Sequence, residues 1–378
     1  MQKHLLTTLF VAFLSFLSFA QTSTGSFEYD GVVRTYRVFT PINYAGDLTD
    51  RPLVFNLHGF GSNGFQQEFY SNMNPVADTA GFFVCYPDGV DASWNVGWSF
   101  GSNQDDVGFI NALIDTLAGD FSIDTNRVYS TGMSNGGFMS YRLACELSDR
   151  IVAVASVTGS MVPGTLFGCE PGRSVPVMQI HGTDDETVPY DGSNINVGIE
   201  TLMSFWVDKN ECALQADTID VPNINTDDNS TAQRIEWTDC DEDSEVVLYK
   251  IENGEHTWPG ASLTLGVTNR DFSGSEVIWN FFNRYQFEGE EVDTERPRLA
   301  TPSWTLAPNP ASELVRIGGL PAESVVVSVF DARGVLLLRR SVRHELELPV
   351  ASLPSGVFTV SVLDAGGTLS AQRLLIRR

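Results

Sequence analysis

The run VYSTGMSNGGFMSYRLA, from Val128 to Ala144, stops a β-branched, strand-like segment on one serine between glycines and restarts at once with helical spacing. Gly132-Met133-Ser134-Asn135-Gly136 has the G-x-S-x-G spacing of a nucleophile elbow. Such a serine takes a strained backbone conformation that is tolerable only where the neighbours two residues away have no side chain to clash. The bend pushes the hydroxyl clear of the sheet at a helix N-terminus, whose dipole favours developing negative charge. The chemistry this suits is attack on an acyl carbon. The competing explanation is a Gly-rich strand-to-helix turn, and the strand before Ser134 with the helix after it favours the elbow.

A serine hydroxyl needs a base. The chain has five histidines, at 4, 58, 181, 256 and 344. His4 lies in an N-terminal apolar leader and His344 in a compositionally distinct tail. The order in this kind of site is serine, acid, histidine. His58, in LHGFG, precedes the serine, and His181 ends the strand-like VPVMQIHG ahead of the acid candidates. Both read as satisfied structural histidines. His256, in NGEHTWPG just past the last strand-like run, is left as the base. The acid belongs in GTDDETVPY, where Asp184, Asp185 and Glu186 all qualify by type. It would accept the proton-bearing nitrogen of the base, fix its tautomer and stabilise the imidazolium. An oxyanion hole would take one donor from the Asn135 N–H. The other would come from the turn His58-Gly59-Phe60-Gly61, with the Phe60 N–H first and Gly59 next. Trp94 and Trp98 in DASWNVGWSF, with Trp258, either line an acyl- or sugar-facing groove or pack in the core.

These residues need elements to hold them. RPLVFNLHG, GFFVCYPDG, RVYSTG, IVAVASVTG, VPVMQIHG and EVVLYKIENG read as strands, several nearly continuous in apolar residues, as parallel strands buried on both faces are. Between them, DDVGFINALIDTLAGDF puts Phe109, Ile110, Leu113, Ile114 and Leu117 on one helical stripe with Asp105 or Asp106 as cap, and GIETLMSFWVDKN follows Gly198 as a second amphipathic helix. SFEYDGVVRTYRVF reads as a hairpin around Asp30-Gly31. Alternation of strand and helix predicts a doubly wound α/β sheet.

The chain has 378 residues, 42% of them hydrophobic, enough for one large and one small domain. Its net charge of -25 argues against nucleic acid or an anionic membrane as a partner. Residues 1–20 read as a signal peptide, with Lys3 ahead of the apolar run Leu5 to Phe19 and small residues at Ser18 and Ala20; the run is too short to span a membrane. Export permits disulfides. Of the five cysteines, Cys85 in FFVCYP reads as a buried thiol, and the expected bridges are Cys145–Cys169 and Cys212–Cys240. Glu211 to Glu245 holds eleven acidic residues and one base, Arg234. Ser244 and Lys250 occupy positions where a calcium loop of the EF-hand type needs Gly and Glu, so a solvated acidic loop or hairpin is expected. No metal or cofactor is implied. Residues 288–302 read as a charged, proline-bearing linker. From Ser303 to Arg378 there are eight Arg, no Lys and six acids, and short alternating runs predict a small all-β sandwich.

The blocks LHGFGSN, YPDG, DDVGFINALID, RVYSTGMSNGGFMSYRLACELSDRIVAVASVTG, VPVMQIHGTDDETVPYDG and GEHTWPG resemble the secreted α/β-hydrolase esterases grouped as polyhydroxybutyrate depolymerase-like and feruloyl esterase-like, similar to carbohydrate esterase family 1. The likeness runs from about Phe27 to Phe287. It implies an α/β-hydrolase fold over residues 21–287. Its H-G-T-x-D-x-x-V-P-Y block puts the acid on Asp185, and its G-H-x-W-P-G block puts the base on His256, with Glu255 where the usual glycine stands. Its paired cysteines also favour Cys212–Cys240. The tail, 303–378, resembles a type IX secretion C-terminal sorting domain through LAPNPASELVRI, VFDARGVLL, LPSGVFTV and a basic terminus. That implies contact with the secretion machinery, export across the outer membrane and an extracellular or cell-surface location. A carbohydrate-binding module is the alternative for a small β domain, and Trp304 alone gives it little aromatic surface. The implied activity is serine-dependent hydrolysis of carboxylic esters, feruloyl or acetyl esters of plant polysaccharides first and poly(3-hydroxybutyrate) second. A non-catalytic surface-binding protein on a hydrolase scaffold and a serine peptidase are the readings from other classes.

Overall fold

The apolar runs form the centre of a ten-stranded sheet. The computed structural model describes residues 21–44, 49–287, 298–299, 301–323, 325–331, 336–351, 353–364 and 368–377. The stretch read as a signal peptide lies outside the described residues. In chain order the large sheet uses β1 (Gln21–Tyr29), β2 (Val32–Thr40), β3 (Arg51–Leu57), β4 (Phe83–Pro87), β5 (Ile123–Met133), β6 (Ala153–Val157), β7 (Val177–Gly182), β8 (Asp217–Asp220), β9 (Thr231–Trp237) and β10 (Val246–Glu252). Their spatial order is β1-β2-β4-β3-β5-β6-β7-β10-β9-β8. The six from β4 to β10 in that order run parallel. Antiparallel pairs flank them, β1 and β2 on one side and β9 and β8 on the other.

Continuity of the apolar runs follows from burial on both faces. Along β3, Leu53 and Phe55 join one core cluster while Val54 joins the other. The first cluster takes the stripe of α3 (Asp106–Asp120) and the buried faces of α4 (Asn135–Glu146) and α6 (Ile199–Lys209). The second takes Ala77 of α2 (Asn74–Ala80) and Ile278, Trp279, Phe281 and Phe282 of α7 (Gly274–Phe282). Two further helices, α1 (Gly64–Ser71) and α5 (Pro163–Leu166), sit after β3 and β6. Asp105 is the α3 cap, accepting from the Gly108 N–H, whereas Asp106 is fully buried against Arg34 at 2.7 Å. The hairpin at Asp30-Gly31 forms as expected, both residues at positive φ. The acidic stretch supplies β8 and β9, so it extends the sheet as a solvated edge.

Both expected bridges are present, Cys145–Cys169 and Cys212–Cys240, and Cys85 is a buried thiol. The first ties the end of α4 to the segment after α5. The second ties the chain beyond α6 to the end of β9.

The tail has β11 (Arg298–Leu299), β12 (Thr305–Ala307), β13 (Leu314–Gly318), β14 (Val325–Phe330), β15 (Leu336–Val342), β16 (Leu346–Pro349), β17 (Gly356–Leu363) and β18 (Thr368–Ile376). They form sheets of five and three strands, ordered β11-β18-β17-β14-β15 and β12-β13-β16, over one apolar cluster. Strand β11 falls inside the stretch read as linker and pairs with β18; the rest of that stretch lies outside the described residues, apart from 301 and 302. A two-residue strand leaves no periodicity in the sequence. Asn309 explains the Pro-Asn-Pro start: its amide donates to the Arg373 carbonyl at 2.7 Å and accepts from the Leu375 N–H at 2.9 Å, stitching the entry to β18. Trp304 is 3% exposed, so it offers no sugar platform. Among the described residues, no helix is long and apolar enough to cross a membrane.

Each bridge closes a loop of moderate length, and removing one such bridge costs about 2–4 kcal/mol. The double variant Cys145→Ser/Cys169→Ser is expected to melt about 5–10 °C lower in differential scanning calorimetry, and an unchanged Tm would show that the bridge adds nothing to stability.

Candidate active site

Strand β5 passes into α4 through one residue, Ser134, at φ 55° and ψ −121°. A β-carbon on Gly132 would stand 2.5 Å from the Gly136 carbonyl carbon, and one on Gly136 would stand 2.1 Å from the Leu57 carbonyl oxygen. Strand β3, strand β5 and helix α4 therefore meet backbone to backbone, which only glycine permits. The Ser134 N–H donates to Val157 O at 2.8 Å and its carbonyl accepts from Phe138 N at 3.0 Å, pinning the turn to β6 and starting the helix. Its hydroxyl has no hydrogen-bond partner among the described residues and lies half-exposed at the carboxyl edge of the sheet.

Asp185 follows β7 and His256 follows β10, the next strand in the parallel run. Their loops touch because Gly182 faces Gly254: a β-carbon there would stand 2.0 Å from the Gly254 carbonyl oxygen, which instead accepts from the Asp184 N–H at 3.0 Å. His256 donates from Nδ1 to Asp185 Oδ2 at 2.7 Å. The other carboxylate oxygen accepts from the Thr187 and Val188 N–H groups at 2.9 and 2.8 Å. Asp185 has a fully buried side chain, while Asp184 and Glu186 are exposed, so of the three acids only Asp185 reaches the imidazole. With the proton on Nδ1, His256 Nε2 is the basic atom, on a half-buried ring. Its approach to the Ser134 hydroxyl is the one contact of the trio that the structure does not contain; such bonds are often loose in free enzymes.

The turn His58 to Gly61 lies against Ser134, with the Gly59 β-carbon position 3.4 Å from Ser134 Cβ. The backbone N–H groups of Phe60 and Asn135 have no acceptor among the described residues. Both are braced from outside. Asn135 accepts from the Trp94 N–H at 2.6 Å and donates to Trp94 O at 3.2 Å, and the Trp94 indole donates to His58 O at 2.9 Å. The Gly89 N–H donates to His58 Nε2 at 2.9 Å, and Asp88 accepts from the Gly64 N–H at 2.7 Å. That is the work of the YPDG block. The arrangement leaves two amides without acceptors and a free hydroxyl on the sheet edge that also carries the imidazole–carboxylate pair.

The tryptophans divide. Trp94 and Trp258 are 1% and 0% exposed, so neither lines a groove. Trp94 is the strut just described and Trp258 packs in the α7-side core, burial that a local motif does not reveal. Trp98 is half-buried, donates to Ile195 O at 3.0 Å, and stacks on Phe100 at 5.0 Å between centroids. Phe100 in turn meets Phe60 at 5.9 Å. Phe60 and Phe100 are 53% and 46% exposed, forming an open aromatic ledge that starts on the His58–Gly61 turn. Phe100 was visible in the sequence only as one more residue of DASWNVGWSF. Among the described residues, no group of three or more His, Cys, Asp or Glu is placed to hold a metal ion.

Residues 103–211 match the Phospholipase/Carboxylesterase family and residues 305–377 the secretion system C-terminal sorting domain. The chain is 30% identical over 256 residues to a protein of Aspergillus flavus named "Probable feruloyl esterase C", covering 66% of this chain and 83% of that one. The chain belongs to the feruloyl esterase-like group of α/β-hydrolase esterases. It is 26% identical over 261 residues to the "Bifunctional acetylxylan esterase/xylanase XynS20E" of Neocallimastix patriciarum, of which it spans only 34%. The solved acetyl xylan esterase from Aspergillus awamori aligns over 69% of this chain and 99% of its own, at 14% identity and a TM-score of 0.50, a likeness of fold. This esterase is thus a carboxylic ester hydrolase, and its C-terminal sorting domain marks it for type IX export.

Two buried histidines contribute to the pH dependence of the esterase's stability. Burial pushes His181 from the ordinary 6.5 down to about 4, against the raising effect of Asp185, and burial also lowers His58. Both are neutral in the folded protein and protonate more readily when it unfolds. Their contribution is therefore complete above pH 6.5 and falls as pH drops toward 4, by about 3 kcal/mol for His181. Tm measured from pH 7 to pH 4 is expected to fall steeply between 6.5 and 4; a flat profile would contradict the buried neutral state.

Proposed function

We propose that Ser134, His256 and Asp185 act as a catalytic triad, with the Phe60 and Asn135 amides as oxyanion hole. The substrates proposed are aromatic acyl esters of the feruloyl type on plant polysaccharides. The observation that carries the reading is the 2.7 Å His256–Asp185 contact on the sheet edge that also presents Ser134 at a strained turn. His256 Nε2 takes the hydroxyl proton as Ser134 Oγ bonds to the ester carbon, and the carbonyl oxygen, now negative, lies between the two amides. The intermediate collapses by breaking the ester C–O bond, and the alcohol leaves with the proton from His256. Water then attacks the acyl-enzyme, giving its proton to His256, and the acid departs as Ser134 recovers its hydrogen. Asp185 holds the imidazole in the Nδ1–H tautomer and stabilises its cation throughout.

The ledge of Phe60, Phe100 and Trp98 supports an aromatic acyl group over acetyl, because stacking gives an aryl ring contact that a methyl group cannot match. Names of relatives, feruloyl esterase and acetylxylan esterase, support the polysaccharide context. The polyester reading is supported by two further exposed rings, Phe65 and Phe69, one turn apart on α1 directly after the His58–Gly61 turn. Residues 1–20 as export signal and 21–287 and 303–378 as esterase and sorting domains complete the reading.

Ser134→Ala is expected to lower kcat on an aryl ester by at least about 10⁴-fold; near-normal turnover would refute the triad. Phe100→Ala is expected to raise KM about fivefold or more for methyl ferulate and to leave that for an aryl acetate within about twofold. Equal effects on both would remove the ledge from substrate recognition. Clearing of a poly(3-hydroxybutyrate) film with no ferulate release from feruloylated xylan would favour the polyester reading.

A further inference from the structure

Asp185 has a second histidine beside it. His181 Nε2 lies 3.4 Å from the same Oδ2 that receives His256. The sequence marks His181 only as a structural residue. Its tautomer is fixed by a chain reaching back to α4. The Tyr141 hydroxyl donates to Gln179 Oε1 at 2.8 Å, so the amide nitrogen of Gln179 is the atom that meets Gly159 O at 3.0 Å and His181 Nδ1 at 2.8 Å. Nδ1 must then accept, and the proton sits on Nε2 and is donated to Val188 O at 2.8 Å, so that Asp185 Oδ2, 3.4 Å away, feels the positive end of the same N–H without taking the hydrogen bond. Val188 closes the circuit, since its N–H holds Asp185 Oδ1. A proton added at Nδ1 would face the Gln179 donor. Tyr141, Gln179 and His181 are all fully buried, and such a chain in a core is costly unless every member is satisfied.

We propose that His181 is a positioning residue for the triad acid: locked as its Nε2–H tautomer by Tyr141 and Gln179, it steadies Asp185 Oδ2 and leaves the carboxylate charge to His256. The inference rests on the triad reading above. Other polar groups around it leave this arrangement intact. The Tyr190 ring stands edge-on at 6.0 Å, its hydroxyl donating to Glu200, and Lys250, the β10 register partner of His181, directs its ammonium over the Tyr190 ring at 5.3 Å.

His181→Leu, His181→Gln and Asp185→Asn are to be assayed on an aryl acetate with the full secreted chain. Removing the donor is expected to lower kcat about tenfold to a hundredfold with KM within about twofold, a loss confined to the transition state. His181→Gln, which keeps an N–H, is expected to regain a large part of it. Long-range ¹H–¹⁵N spectra of histidine-labelled Ser134→Ala protein are expected to show His181 as the neutral Nε2–H tautomer from pH 5 to 8, and this readout stands even where a variant fails to fold. The proposal is overturned by wild-type kcat in His181→Leu beside an inactive Asp185→Asn, or by a His181 that titrates or carries its proton on Nδ1. Wild-type activity in Asp185→Asn would instead overturn the triad reading itself.

Discussion

A serine at φ 55° and ψ −121° is a cost of roughly 1–3 kcal/mol that the surrounding fold must absorb. Here it is absorbed by three backbones pressed together: Gly132 of β5, Gly136 of α4 and the carbonyl of Leu57 at the end of β3. Any side chain at either glycine would part β3 from α4. Parting them would also separate the His58–Gly61 turn from the Asn135 amide, because one belongs to each element. Exposure of the hydroxyl, spacing of the two amides and direction of the helix axis thus follow from one contact.

The loops beyond the sheet edge are irregular, yet they are held by buried polar anchors rather than left to packing. Asp106, with no exposed surface, accepts from the Asn95 N–H at 2.7 Å, from Ser102 Oγ at 3.3 Å and from Arg34 at 2.7 Å, fixing the segment that carries Trp94 and Phe100. The Arg34 guanidinium also lies 3.7 Å over the Phe109 ring. The strut of Trp94 then passes that order to His58 and Asn135. A buried, hydrogen-bonded ion pair is a poor source of net stability but a good device for holding one geometry. Asp185, which has no Arg or Lys partner among the described residues, is held instead by the Thr187 and Val188 N–H groups and by His256.

Much of this was legible in the chain because parallel strands buried on both faces leave continuous apolar runs, and because an elbow has a strict glycine spacing. His256 followed from the order of elements, since it is the one histidine between the last strand of the large sheet and the compositionally distinct tail that holds His344. Asp185 did not: three adjacent acids share one loop, and which one turns inward depends on amides at Thr187 and Val188 that a sequence does not display. The resemblance, not the spacing, selected it. Trp94 and Trp258 misled for a related reason. Aromatic residues in a loop of unknown course look the same whether they face a groove or a core, and burial is set by partners more than thirty residues away. Strand β11 was hidden by its two-residue length.

Hydrolysis at this site requires the Ser134 hydroxyl and the Phe60 and Asn135 amides to converge on one acyl group, with His256 closing on it. A crystal structure of the enzyme after reaction with an aryl phosphonate tests this most directly. The expected adduct has phosphorus bonded to Ser134 Oγ, its oxygen within hydrogen-bond distance of both amides, and His256 still paired with Asp185. A phosphonyl oxygen turned away from those amides, or an adduct on another residue, would contradict it.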